Sequence, residues 1–144
     1  MCKVVRTVML AAVVLSAFAV PPAGGTTEPR CFGEEVTIAG TGGGNLLRGT
    51  PDRDVIDGLG GADVIRAGGA RDLVCGGTGN DRLYAGPGRD AVGGEGGDDF
   101  LSGGGGPDQL LGEGGDDSYK GGPGYDGCFA EIGEPTPGCE FTGD

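Results

Sequence analysis

Ten residues that can offer an oxygen to a hard cation recur every nine positions: Asn45, Asp54, Asp63, Asp72, Asp81, Asp90, Asp99, Asp108, Asp117 and Asp126. Glycines crowd the positions before each one, as in Gly76-Gly77-Thr78-Gly79-Asn80-Asp81 and Gly103-Gly104-Gly105-Gly106-Pro107-Asp108. A glycine-rich turn can aim several backbone carbonyls into one space, because glycine tolerates positive φ and has no Cβ to obstruct. Calcium takes about six to eight oxygens at roughly 2.3–2.6 Å. One turn and one carboxylate supply too few. Two stacked turns with two carboxylates supply enough, so the chemistry implied is calcium binding between turns.

The same period specifies the elements that must stack those turns. Two residues after each Asp or Asn stands an apolar side chain: Leu47, Ile56, Ile65, Val74, Leu83, Val92, Leu101, Leu110, Tyr119 and Cys128. Side chains alternate along a strand, so each nonapeptide reads as a turn followed by a very short strand burying one residue. Two nonapeptides make a coil of 18 residues, and coils stack at the ~4.8 Å spacing of paired strands. The fold expected is all-β, a parallel β-roll (solenoid) of ten nonapeptide repeats over residues 40–129, with short caps.

Stacking brings together residues 18 apart, in two rows: Asn45, Asp63, Asp81, Asp99 and Asp117 on one edge, Asp54, Asp72, Asp90, Asp108 and Asp126 on the other. Pairing turns along these rows gives at most eight metal sites. The candidate ligands are the carboxylates of Asp63, Asp72, Asp81, Asp90, Asp99, Asp108, Asp117 and Asp126, with the turn glycines Gly76, Gly79, Gly103, Gly106, Gly121 and Gly124. Counted from the first glycine, position 4 of the repeat is glycine except at Asp52 and Ala70. The tightest sites are expected along Asp90, Asp108 and Asp126, where the turns are most regular. Glu95 and Glu113 replace glycine at position 2 and are expected to be solvated.

Glycine supplies 36 of the 144 residues, aromatics 6%, and Trp and His are absent. Without the repeat such a composition would read as disorder. Collagen is excluded, because it needs glycine at every third position and position 7 here carries Leu46, Val55, Val64, Leu73 and Phe100. The formal charge of −12 disfavours nucleic acid and anionic membranes. Catalysis is not expected: there is no His, and the only serines beyond residue 20 are Ser102 and Ser118, both at positions of the glycine-rich repeat. An ice-binding face would need a ladder of Thr or similar residues. Position 9 runs Arg48, Asp57, Arg66, Cys75, Tyr84, Gly93, Ser102, Leu111, Lys120, Phe129, and has none.

The units GGTGNDRLY (76–84), GGGGPDQLL (103–111) and GGPGYDGCF (121–129) resemble the hemolysin-type, or RTX, calcium-binding repeat GGxGxDxUx. The resemblance spans about 90 residues and is looser from 40 to 75. It implies a calcium-loaded parallel β-roll that is unfolded or loosely folded without the metal.

The flanks carry separate signals. Lys3 and Arg6, an apolar run from Val8 to Val20 and the small residues of Ala17-Phe18-Ala19 read as a secretory signal peptide over 1–19. Its removal, with two positive charges, takes the formal charge from −12 to −14. Residues 20–30 read as a flexible leader, 31–39 as an N-terminal capping strand and 130–144 as a tail. Four cysteines remain, and an oxidising compartment favours two disulfides. Three pairings are possible; the short loop favours Cys128–Cys139, which leaves Cys31–Cys75. Zinc is disfavoured by the lack of His and of any CxxC pair. The chain thus reads as secreted, with calcium as cofactor, no membrane insertion after signal removal, and an extracellular protein or surface partner of unknown identity. The rival is a calcium-independent structural or adhesive scaffold.

Overall fold

The computed structural model describes residues 29–130 and 141–142. The expected signal peptide, most of the leader, most of the tail and Cys139 lie outside the described residues. The described chain is all-β, a solenoid of about five coils. Its strands are β1 (Arg30–Cys31), β2 (Glu34–Glu35), β3 (Ile38–Thr41), β4 (Leu46–Arg48), β5 (Val55–Leu59), β6 (Val64–Arg66), β7 (Leu73–Thr78), β8 (Arg82–Pro87), β9 (Ala91–Gly96), β10 (Phe100–Gly105), β11 (Gln109–Gly114), β12 (Ser118–Lys120), β13 (Gly122–Pro123), β14 (Gly127–Ala130) and β15 (Phe141–Thr142).

Even and odd repeats separate into two parallel sheets, ordered β14-β11-β9-β7-β5-β3 and β12-β10-β8-β6-β4. Each strand pairs with the strand 18 residues on: Ile56 faces Val74, Val74 faces Val92, Ile65 faces Leu83 and Leu83 faces Leu101. That register keeps every inward side chain inward, since a slip of one residue would turn the apolar set to solvent. The core between the sheets is a thin double column of Ile56, Ile65, Val74, Leu83, Val92, Leu101, Leu110 and Tyr119, with Leu47 and Cys128 partly buried against it. Ala67 and Ala85, which open their repeats where the other units have glycine, also point into it. A core one side chain deep cannot close over a void. Leu83→Ala, at the centre of one column, is therefore expected to cost about 2–5 kcal/mol, read as a lower denaturant midpoint.

A second apolar cluster lies on the outside of the six-stranded sheet. Cys31, Val55, Leu73 and Cys75 are buried there, with Val36 and Ala91 packed against them. The segment carrying the antiparallel pair β1–β2 crosses this face, and a disulfide joins Cys31 to Cys75 across 44 residues. Closing a loop of that length stabilises the fold by roughly 4 kcal/mol in the chain-entropy account. β3 then enters the sheet beside β5, with Ile38 opposite Ile56. At the other end β15 pairs in parallel with β13. Cys128 is also disulfide-bonded.

Candidate metal centre

From the third repeat on, each turn takes the chain through backbone conformations that few side chains allow. Position 2 has positive φ at Leu59, Gly68, Gly77, Gly86, Glu95, Gly104, Glu113 and Gly122, and position 4 at Gly61, Ala70, Gly79, Gly97, Gly106, Gly115 and Gly124. Position 3, glycine-rich in the sequence, has no positive φ and accepts Pro51, Pro87 and Pro123. Glu95 and Glu113 are exposed. Gly79 donates its N–H to Gly96 O at 2.6 Å and Gly106 to Pro123 O at 2.9 Å, so position 4 also links one turn to the next coil.

The ten Asp and Asn residues form the two expected rows. All nine aspartates are at most 8% exposed. One carboxylate oxygen of each member from Asp63 onward is spent on the preceding coil, where Oδ1 accepts the backbone N–H of the residue 18 earlier. On one edge the bonds are Asn45 to Asp63 (2.6 Å), Asp63 to Asp81 (2.7 Å), Asp81 to Asp99 (2.8 Å) and Asp99 to Asp117 (3.0 Å). On the other they are Asp54 to Asp72 (2.8 Å), Asp72 to Asp90 (2.8 Å), Asp90 to Asp108 (2.9 Å) and Asp108 to Asp126 (3.0 Å). This amide ladder was not foreseen from the sequence. Its only trace there is the unbroken interval of 18.

The second oxygen has a different fate. Oδ2 of Asp63, Asp72, Asp81, Asp90, Asp99, Asp108 and Asp126 is buried without a hydrogen-bond partner. A buried, unpaired anionic oxygen is costly, so these atoms call for a cation. The surroundings fit one. A Cβ placed on Gly58 would lie 2.4 Å from both Asp63 Oδ2 and Gly76 O, and one on Gly76 would lie 2.5 Å from Asp81 Oδ2 and 2.9 Å from Gly94 O. Gly94 repeats the pattern with Asp99 Oδ2 and Gly112 O, at 2.4 and 2.8 Å. At these three positions glycine thus keeps open a cradle where a carboxylate meets a carbonyl of the next coil, whereas Ala67 and Ala85 open the repeats of Asp72 and Asp90. Gly103 and Gly121 stand equally close to Asp108 Oδ2 and Asp126 Oδ2, each 2.4 Å from where a Cβ would be. Gly124, φ +155, follows the position-4 pattern. Among the described residues no three His, Cys, Asp or Glu side chains converge on one point. A cation in these cradles would draw its oxygens mainly from the backbone, as hard, oxygen-seeking calcium can.

Burial raises the carboxylate pKa values of six row members, three on each edge. Asp99 is pushed up to about 7, with the charges of Asp81, Asp117 and Asp98 adding to the rise and the Asp81 N–H opposing it. Asp90 and Asp108 are pushed up to about 6 by burial, against the hydrogen bonds from the Asp72 and Asp90 amides. Asp63, Asp72 and Asp81 are raised for the same leading reason.

A parallel two-sheet roll with turn carboxylates stacked at every coil is the architecture of a calcium-binding solenoid. The model of the RTX calcium-binding nonapeptide repeat matches residues 39–74, 71–101 and 93–127, and the chain belongs to that family. No curated protein and no solved structure matches the chain.

Proposed function

We propose that this chain is a secreted calcium-binding module whose roll folds as Ca2+ enters the spaces between stacked turns. The observation that carries this reading is the set of seven buried carboxylate oxygens left without a hydrogen-bond partner. In the metal-free state those like charges lie one coil apart and repel, within a chain of formal charge −12. Calcium neutralises them and joins successive coils, so its binding energy becomes folding energy. Extracellular calcium suffices for weak sites, with Kd on the order of 10⁻⁴–10⁻³ M.

The role is binding and scaffolding rather than catalysis. Among the described residues every buried aspartate but Asp57 stands in the two rows, and Ser102 and Ser118 lie within strands β10 and β12. Far-UV circular dichroism during a calcium titration, after exhaustive chelation, tests the proposal. A gain of β signal with calcium, not with magnesium, and reversed by chelator is expected. A spectrum already fully β and indifferent to calcium would sink it, leaving a disulfide-held, calcium-independent scaffold.

A further inference from the structure

The first coil differs from the others in ways that bear on where the metal column begins. Asn45 and Asp54 are the first members of the two rows, and neither has the orphaned oxygen found in seven later ones. Thr41 donates its N–H to Asn45 Oδ1 at 2.6 Å, with its hydroxyl 3.3 Å from the same atom. Thr50 donates its N–H to Asp54 Oδ2 at 2.6 Å and its hydroxyl to the same oxygen at 2.9 Å. These two threonines are the only ones at position 2 of the repeat. The backbone follows suit: no residue of turns 40–45 or 49–54 has a positive φ, whereas every later turn has at least one.

The oxygens so occupied are those that would face the second coil. A Cβ on Gly40 would meet Asn45 Oδ1 at 2.5 Å and Gly58 O at 2.4 Å, and one on Gly49 would meet Asp54 Oδ2 at 2.7 Å beside Ala67 O. In the matching cradles of Gly58, Gly76 and Gly94 the oxygens of Asp63, Asp81 and Asp99 are free. The first coil is also held by means that need no ion. The Cys31–Cys75 disulfide ties the outer segment down, Arg53 pairs with Glu34, and Thr37 exchanges hydrogen bonds with Val55 through its N–H, hydroxyl and hydroxyl oxygen. The outer apolar cluster packs Val55, Leu73 and Cys75 from the far side of the sheet.

We infer that the first coil is a metal-independent template, closed by threonine where later coils use an ion, and that calcium binding begins with the spaces beyond the second coil. This rests on the calcium reading above and refines it, leaving at most six inter-turn sites: three along Asp63, Asp81, Asp99 and Asp117 and three along Asp72, Asp90, Asp108 and Asp126. A preformed end matters because a solenoid grows by adding coils to an existing edge. With the first edge already built, each ion has only to order the next turn.

Two measurements on the full chain with disulfides intact test this. In amide hydrogen exchange without calcium, β3, β5 and the amides of Thr41 and Thr50 are expected to exchange at least about tenfold more slowly than β10 and β11. Calcium should then slow β10 and β11. In equilibrium binding of calcium alone, Asp54→Asn should bind as many ions as the parent, whereas Asp99→Asn should bind fewer. Loss of an ion in Asp54→Asn would overturn the inference, as would equal exchange in all coils of the calcium-free protein. If the parent binds no calcium, the proposed function fails, and the exchange pattern alone still decides whether the first coil is a template.

Discussion

Gly97→Ala is expected to lower the melting temperature of the calcium-loaded protein by roughly 12 °C or more, the shift that about 3 kcal/mol produces in a domain of this size. Two costs add at this position. Gly97 has φ +130, far from the left-handed region that other residues reach at modest cost. A Cβ there would also stand 2.2 Å from Gly79 O and 2.6 Å from its carbonyl carbon, both in the rigid backbone of the preceding coil. Strain of about 1–3 kcal/mol and overpacking of about 1–3 kcal/mol take a large part of a stability that is usually about 5–15 kcal/mol. Glu113→Gly is the control. Glu113 has φ +70, where a side chain costs only about 1–2 kcal/mol, so its removal should leave the melt near that of the parent. An unchanged melt for Gly97→Ala would mean that the turns are not packed as tightly as the structure has them.

The second large effect is an opposition between acid and calcium. Asp99 titrates near 7 and Asp90 and Asp108 near 6 in the folded chain, all above the ordinary value of 3.8. The folded state therefore holds more protons than the unfolded state between about pH 4 and 7, and linkage gives the sign: stability of the metal-free roll falls as pH rises. The stabilising contribution is fully present below pH 3.8 and is lost as pH passes through 6 to 7. Calcium needs the ionised carboxylates, so its affinity must run the other way and weaken as pH falls through the same window. Calcium-free protein is expected to be more β-structured at pH 5 than at pH 8, and the calcium midpoint at pH 5.5 to lie well above that at pH 8. Dichroism at the two pH values, with and without the metal, reads both. A calcium midpoint independent of pH would show that the buried carboxylates are not its ligands.

Much of the fold was legible because one interval carried it. Nine residues between aspartates, with an apolar side chain two positions on, leave few ways to stack strands. The observed pairing of Ile56 with Val74 and of Leu83 with Leu101 is the one the interval implies. Glycine frequency was a poorer guide. Position 3 is rich in glycine, yet positive φ falls at positions 2 and 4, because composition cannot separate a glycine needed for its dihedral from one whose place has room for a side chain, as at Gly42, Gly96 and Gly105. The Cys31–Cys75 bridge was one of three pairings that the sequence allowed, and the structure has it.

By itself, then, the sequence determined the class of fold, the two rows and the choice of a hard cation, since each depends on periodicity and on the chemistry of oxygen ligands. Only the tertiary structure decided how seven of these carboxylates are divided, with one oxygen held by the amide of the coil before and the other left without a partner. It alone showed that threonine closes the first coil. Both outcomes depend on hydrogen-bond geometry within and between coils. A pattern of residue types specifies which groups become neighbours, but not which of their atoms face each other.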